Sequence, residues 1–220
     1  VGIVLGVYIG TIVLLNIPNI QQAMSVFVAE ELSEVLNTKV VIGRINMGLL
    51  NRIIIDDVLL DDQSGQEMLK VTRLSAKFDI MPFFKGKISI SSVQLFGFNI
   101  NLRKETPDSP PNFKFVLDAF ASKDTVKKEN SLDLRINSIL IRRGRMSYHV
   151  LSEEETPGKF NAKHIQLQNI IANISLKALS KDSLNLGIKR LSLDEKASGF
   201  SLKKMSLKLV ANNKQTNIDN

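Results

Sequence analysis

The chain has 220 residues, of which 44% are hydrophobic and only 6% aromatic, and its formal net charge is +7 with no cysteine and no tryptophan. Within this sequence the lack of cysteine excludes disulfides, iron–sulfur clusters and thiolate zinc sites, and the mainly aliphatic apolar content favours β-strands. The basic residues are scattered, with short clusters only at Arg142-Arg143-Arg145 and Lys203-Lys204. Because no series of stacking aromatic residues lies between them, we expect no nucleic-acid partner.

The first segment, residues 1–15, is apolar and has no charged side chain. Spanning a bilayer takes about 20 such residues. The sequence begins at Val1 without methionine and ends directly after a strand-like run, so we expect a piece of a longer protein with the missing residues completing the span. A secretory signal peptide is the alternative, but no small-residue cleavage pattern follows. We therefore predict that residues 1–17 form a transmembrane anchor.

Three glycines of this segment, Gly2, Gly6 and Gly10, recur every four residues and so share one face of a helix. Small residues at this spacing let transmembrane helices approach closely, so this face is a candidate contact for a partner helix, although glycine is also common in such helices generally. Residues 16–38 contain three glutamates and no lysine or arginine. Cytoplasmic flanks attract basic residues, so we predict that the body of the protein lies on the non-cytoplasmic side of the membrane.

Residues 18–36 have the pattern of an amphipathic helix that begins at Pro18 and ends before Asn37. The apolar positions are Ile20, Ala23, Met24, Phe27, Val28, Leu32, Val35 and Leu36. Glutamine and glutamate occupy the opposite side. Such a helix could lie on a membrane surface, but its acidic face suits anionic headgroups poorly. We predict instead that it packs on the open end of a sheet.

The strand-like stretch KISISSVQLFGFNINL, residues 87–102, alternates apolar and polar residues, slips by one residue at Ser91-Ser92 and then alternates again. Because successive strand residues point to opposite faces, we expect a β-bulge to absorb the slip. The same spacing recurs in seven further quartets: Val40/Ile42/Ile45/Met47, Ile53/Ile55/Val58/Leu60, Leu69/Val71/Leu74/Ala76, Leu134/Ile136/Ile139/Ile141, Ile165/Leu167/Ile170/Ala172, Leu186/Ile188/Leu191/Leu193 and Phe200/Leu202/Met205/Leu207. Bulges bend strands, so the repeat predicts a mostly β fold: a curved antiparallel sheet with one apolar face and few short helices.

Breaks in the pattern divide the chain. A short turn is expected at residues 81–86, a Pro-rich break at 106–111 and a short helix around Phe113–Phe120, followed by a polar linker at 122–130. We therefore predict a first sheet segment within residues 18–121 and a continuing segment over 131–220, truncated at its C-terminus. In the second segment, strands over 131–142 and 144–151 are expected to be joined by a tight turn at Arg143-Gly144.

Neither catalysis nor a metal site is indicated. His149 and His164 are the only histidines, and both lie in strand patterns, which favours sheet or surface residues over bases or ligands. The acidic pairs Asp56-Asp57 and Asp61-Asp62 lack the spacing of a calcium loop, and turn chemistry accounts for the second pair. No nucleophile–histidine–acid order or phosphate-binding glycine loop is present in the sequence. We expect no enzyme, no metal and no cofactor.

The succession of segments resembles the N-terminal region of the AsmA/TamB family of bacterial envelope proteins. It consists of an apolar anchor, a Pro-started helix ending in LNTKVVIGRI, the strand IIIDDVLLDD, the stretch KVTRLSAKFDIMPFFKGKISISSVQLFGFNINL, and a Pro-rich break leading into NFKFVLDAF. The resemblance covers residues 1–120 and is generic from residue 131 onward. It implies an inner-membrane anchor, a taco-like periplasmic β-groove, and a role in bridge-like lipid transfer or outer-membrane assembly.

Two short helices are too few to cover the apolar face of at least eight strands, and leaving that face in water costs roughly 25 cal/mol per Å². Phospholipid acyl chains are therefore the expected cargo. The predicted lining consists of Ile88, Ile90, Val93, Leu95, Ile136, Ile139, Ile170, Ile174, Ile188 and Leu191. The alternative is a structural scaffold for outer-membrane protein assembly, in which the sheet closes on its own side chains and the glycine face recruits a partner.

Overall fold

The computed structural model describes residues 6, 9–10, 13–14, 16–48, 51–79, 90–121, 137–179, 183–212 and 216–219. Gly2, Ile88, Ile136, the predicted turn at 81–86 and the linker at 122–130 lie outside these ranges. Gly6 and Gly10 have helical backbone, with open space where a Cβ would stand. Among the described residues no helix combines the length and the apolar character that a membrane span requires. The predicted anchor over residues 1–17 therefore stays a prediction.

The described chain is mostly β. The helices are α1 (Pro18–Leu36) and α2 (Lys114–Ala121). The strands are β1 (Val40–Gly48), β2 (Arg52–Asp61), β3 (Glu67–Phe78), β4 (Ile90–Lys104), β5 (Ser138–Val150), β6 (His164–Leu179), β7 (Ser183–Glu195), β8 (Ser201–Asn212) and β9 (Thr216–Asp219). All nine strands form one sheet in chain order.

The sheet is mixed, so the expectation of a purely antiparallel sheet is wrong at one position. Strand β5 runs parallel to β4, whereas the other neighbouring strands are antiparallel. A parallel pair requires a long crossover, and residues 105–137, which include α2, provide one. Because β4 and β5 pair directly, the strands before and after the polar linker belong to the same sheet. In the described chain only consecutive strands contact each other, so the sheet is open.

The pairing registers align the apolar positions of eight strands into rows that cross the sheet. Row 1 contains Met47, Ile53, Ala76, Val93, Ile139, Ile174, Ile188 and Leu207. Row 2 contains Ile45, Ile55, Leu74, Leu95, Ile141, Ala172, Leu191 and Met205. Row 3 contains Ile42, Val58, Val71, Phe98, Gly144 and Ile170. We call the face that bears these rows the apolar face.

Between rows 2 and 3, the first five strands each carry two successive residues that belong to neither row. These pairs are Gly43-Arg44, Asp56-Asp57, Thr72-Arg73, Phe96-Gly97 and Arg142-Arg143. In β1, β3 and β5 both members are exposed, so they point away from the apolar face. The left-handed backbone of Asp57, Gly97 and Arg143, with φ of 56°, 65° and 55°, accommodates the slip. Because the slips of these neighbouring strands lie opposite one another, the strands keep the same pairing register on both sides of the slip.

The predicted slip positions are correct in most strands but incomplete in β4 and β5. The bulge at Ser91 is confirmed, since Lys77 pairs with Ser92 and Phe78 with Ile90, leaving Ser91 between them. Strand β4 slips a second time at Phe96-Gly97, between rows 2 and 3, where β3 and β5 also slip. From β6 onward the slips lie at different levels, and register shifts interrupt the pairing of β5–β6, β6–β7 and β7–β8.

The predicted turn at Arg143-Gly144 is wrong, because β5 continues through both residues. Arg143 bends the strand without reversing it, and Gly144 occupies the inward position of row 3. A Cβ on Gly144 would lie 2.4 Å from Cε1 and Cζ of Phe98 and 3.0 Å from Cβ of Ile170. The large ring of the neighbouring strand therefore fills the space that a side chain on β5 would need.

Helix α1 has the predicted bounds, with Pro18 in its first turn and Asn37 in a left-handed C-cap at φ 48°. It packs against buried side chains of the first three strands. Its buried side differs in detail from the apolar stripe, because Ser25 is buried whereas Phe27 is 63% exposed. The Ser25 hydroxyl donates to the backbone carbonyl of Gln21 over 2.8 Å, which satisfies its polar group inside the interface.

The turn between β7 and β8 is built on the carboxylate of Glu195, which is 2% exposed. It accepts hydrogen bonds from the backbone N–H groups of Ala197 (3.1 Å), Ser198 (2.7 Å) and Gln166 (3.2 Å) and from the Ser198 hydroxyl. Burial raises the pKa of Glu195, but these donors outweigh burial and hold its pKa at about 2 instead of the usual 4.5.

We expect Glu195 to stabilise the fold above about pH 5 and to lose this contribution as the pH falls towards 2, because the unfolded carboxyl protonates first. Lowering the pKa from 4.5 to about 2 corresponds to at most about 3 kcal/mol of stability at neutral pH. Urea unfolding at pH 6 and pH 2.5 measures this contribution as the difference between wild type and Glu195→Gln. An equal difference at both pH values would contradict the assignment.

Candidate functional site

Among the described residues, α1 and α2 cover only the β1–β3 end of the apolar face. Buried side chains of β1, β2 and β3 pack with α1 and with residues in and just before α2. The cluster comprises Leu36, Val40, Ile42, Ile45, Leu60 and Met68, with Met24, Val28, Ala29, Leu32, Ile53, Ile55, Leu69, Phe113, Phe115, Val116 and Ala119 against it. A second cluster is centred on Val71, Phe98 and Ile170 of row 3. No helix side chain among the described residues packs against it.

Burial decreases across the uncovered part of the face. In row 3, Val71 is 3%, Phe98 7% and Ile170 8% exposed. Row 2 packs partly against these residues through Leu74, Leu95 and Ile141. In row 1, by contrast, the described residues from Val93 to Ile188 are only half-buried and belong to neither cluster. Rows 1, 2 and 3 therefore form one continuous, mainly aliphatic band. Its side chains are buried at row 3, which we call the floor of the band, and accessible at row 1.

Most of the predicted lining residues are brought together on this band. Val93, Ile139, Ile174 and Ile188 are directly paired neighbours in row 1. Leu95 and Leu191 lie in row 2, and Ile170 in row 3. Ile90 lies beyond the Ser91 bulge, opposite Phe78. Ile88 and Ile136 are outside the described residues.

Sequence reasoning missed several members of the band. Ala76, Ile141, Ala172 and Leu207 all belong to the recurring quartets but are absent from the predicted lining. A comparison of successive strands could have found them. When the slips of two strands lie equally far from the turn that joins the strands, they lie opposite each other, and so do the apolar residues on either side of them. Gly144 carries no such signal, because it has no side chain.

The opposite face is mainly polar, although Val41, Phe96 and Leu140 lie on it, and its charge changes along the sheet. Between β2 and β3 one ion pair lies on this face: Arg73 Nε donates to Asp56 Oδ1 over 2.6 Å. In β5, β7 and β8 the outward slip pairs are all basic and exposed. They are Arg142, Arg143, Lys189, Arg190, Lys203 and Lys204. Where the described helices leave the apolar face uncovered, the opposite face of the sheet is therefore solvent-exposed and mainly basic.

The crossover that leads to β5 is held by the carboxylate of Asp62, which is 2% exposed. Its Oδ1 accepts hydrogen bonds from the N–H and hydroxyl of Ser64 and from the N–H of Gln66, at 2.7–3.1 Å. Its Oδ2 lies 2.6 Å from an Arg103 guanidinium nitrogen and 3.1 Å from Asn112 Nδ2. Burial raises the pKa of Asp62, but the bonds from Ser64, Asn112 and Gln66 outweigh it and lower the pKa.

No protein-family model matches the chain, and a search of curated proteins finds no match. The functional assignment therefore depends on the geometry of the sheet and on the order of segments in the sequence.

Proposed function

We propose that this protein is an inner-membrane-anchored periplasmic groove that holds phospholipid acyl chains and carries them between the inner and outer membranes. The observation that carries the proposal is that rows 1 and 2 of the aliphatic band are left uncovered from β4 to β8 by the described helices. An apolar surface of this extent is unfavourable in water and marks a binding surface. Acyl chains match its chemistry because the band offers no hydrogen-bonding pattern, only aliphatic contact.

The dimensions of the band suit a lipid. Neighbouring strands are about 4.8 Å apart, so the four spacings from β4 to β8 correspond to roughly 19 Å. One leaflet of hydrocarbon is about 15 Å thick, so an acyl chain fits across the band. Shared slips in β1 to β5 and bulges beyond them favour a sheet that curls towards its apolar face, which would give the groove its depth.

The remaining parts of the proposal come from the sequence. The apolar residues 1–17 would anchor the chain, and the acidic flank after them favours a periplasmic body. Gly6 and Gly10, together with Gly2, would form the face for a partner helix in the membrane. The scaffold alternative requires the sheet to close on itself, and the open order of strands in the described chain offers it no specific support.

Purification under mild conditions is expected to yield protein with bound phospholipid. Native mass spectrometry after gentle detergent extraction should show mass additions that match phospholipids, and removal of the lipid should lower the unfolding temperature because a ligand of the folded state is lost. The control is the same preparation after exhaustive delipidation and reloading, which should restore both signals. A lipid-free protein of equal stability would contradict the proposal.

A further inference from the structure

Two histidines and a glutamate lie close together where strand β5 ends and strand β6 begins. His149 and His164 are direct partners in the strand register. Their Nδ1 atoms lie 3.0 Å apart. Oε1 of Glu155, in the loop that joins the two strands, lies 3.8 Å from Nδ1 of His149 and 4.0 Å from Nδ1 of His164. Three potential ligand atoms from two strands and their loop therefore face one point.

The orientation of His164 is set by a backbone group. Its Nε2 lies 2.9 Å from the carbonyl oxygen of Glu153, and a carbonyl only accepts hydrogen bonds, so Nε2 carries the proton. In the neutral ring Nδ1 then presents its lone pair towards His149 and Glu155. A histidine whose second nitrogen donates to a carbonyl is the arrangement that orients metal ligands in proteins. His164 is 7% exposed, so its ring has little freedom to turn away.

We propose that His149, His164 and Glu155 bind one divalent transition-metal ion of the zinc class. Zinc lies about 2.0–2.2 Å from nitrogen and carboxylate ligands, which places tetrahedral ligands roughly 3.3 Å from each other. The observed separations of 3.0, 3.8 and 4.0 Å bracket this value. Glu155 is 62% exposed on its loop, so a small movement of its side chain closes the site.

The donor set favours zinc over magnesium or calcium, because two imidazoles and one carboxylate suit zinc, whereas the alkaline-earth ions prefer oxygen ligands. Three protein ligands leave a fourth position for water. The ion would tie residues 151–163 to both strands and so reduce the freedom of this loop. By strand alternation from Met146 and Leu167, which pack in the core, the histidines project from the face opposite the apolar rows. The site is therefore independent of the proposed lipid function.

The test is calorimetric titration of the full chain, produced without a histidine tag, with zinc chloride. We expect one zinc per chain, a higher unfolding temperature with zinc, and no such increase with magnesium or calcium chloride. His149→Gln should weaken zinc binding at least about 100-fold and Glu155→Gln about 10-fold. His164 is left unchanged because it is buried.

Glu154→Gln is the matched control, since it removes the same charge one residue away and should leave zinc binding unchanged. Cobalt substitution adds a second readout, because tetrahedral coordination gives an intense visible spectrum that His149→Gln should abolish. The proposal is overturned if zinc does not saturate at one per chain, if His149→Gln binds as well as wild type, or if Glu154→Gln and Glu155→Gln lose equal affinity.

Discussion

Replacing Ile139 by glutamate is expected to weaken phospholipid binding about 100-fold while lowering the free energy of unfolding by no more than about 1 kcal/mol. Ile139 lies in the middle of row 1, between Val93 and Ile174, and is only half-buried in the lipid-free chain. A carboxylate there stays hydrated when no lipid is bound. Against an acyl chain it loses water without gaining a partner, at a cost of about 3 kcal/mol.

Leu140→Glu is the matched control. It introduces the same charge one residue along β5, but on the opposite face, where Leu140 is flanked by Gln94 and Asn173. We expect this variant to retain phospholipid binding. Bound phospholipid per chain and urea unfolding should be measured for both variants in parallel.

Two results would contradict the lipid-binding face. Equal phospholipid content in Ile139→Glu and Leu140→Glu would show that row 1 is not the lining. Unfolding of Ile139→Glu alone would show that the residue belongs to a closed core, as the scaffold alternative requires. The positive control for core disruption is Ile170→Glu, since Ile170 is 8% exposed at the floor of the band and should not tolerate a charge.

Replacing Asp62 by alanine is expected to lower the free energy of unfolding by about 3–5 kcal/mol. The change leaves the guanidinium of Arg103, whose side chain is 19% exposed, without its carboxylate partner at 2.6 Å. It also removes the acceptor for Ser64, Gln66 and Asn112. Because Asn112 precedes α2, we expect the crossover and the cover of β1 and β2 to loosen first.

The size of this effect can be separated from general damage by a double-mutant cycle. Arg103→Met in the Asp62→Ala background should recover part of the stability, because no unpaired charge remains. Asp108→Ala, in the exposed Pro-rich loop, should change stability by less than about 0.5 kcal/mol. Urea unfolding of the four variants and the wild type measures the coupling. If the double variant loses as much free energy of unfolding as the two single variants added together, the ion pair does not stabilise the fold.

Local features of the fold were predictable from sequence because short-range chemistry determines them. The left-handed cap at Asn37, the bulge at Ser91 and the turn that Asp62 organises all follow from residues within a few positions of one another. The position of the slip in β5 was not predictable. Its inward residue is Gly144, which leaves no apolar signal, and a glycine between two strand-like runs is itself a turn signal.

In the strands other than β4 and β5, the sequence by itself determined which residues face the apolar side, since alternation and its slips are properties of a single strand. The slips at Phe96-Gly97 and Arg142-Arg143 were not among those it determined. It also determined the bounds of α1. Only the tertiary structure decided that β5 runs parallel to β4, which residues share rows 1 and 2, and that His149 meets His164 and Glu155. The physical reason is that register and strand direction depend on pairing between residues far apart in the chain, and a crossover of this length permits either direction.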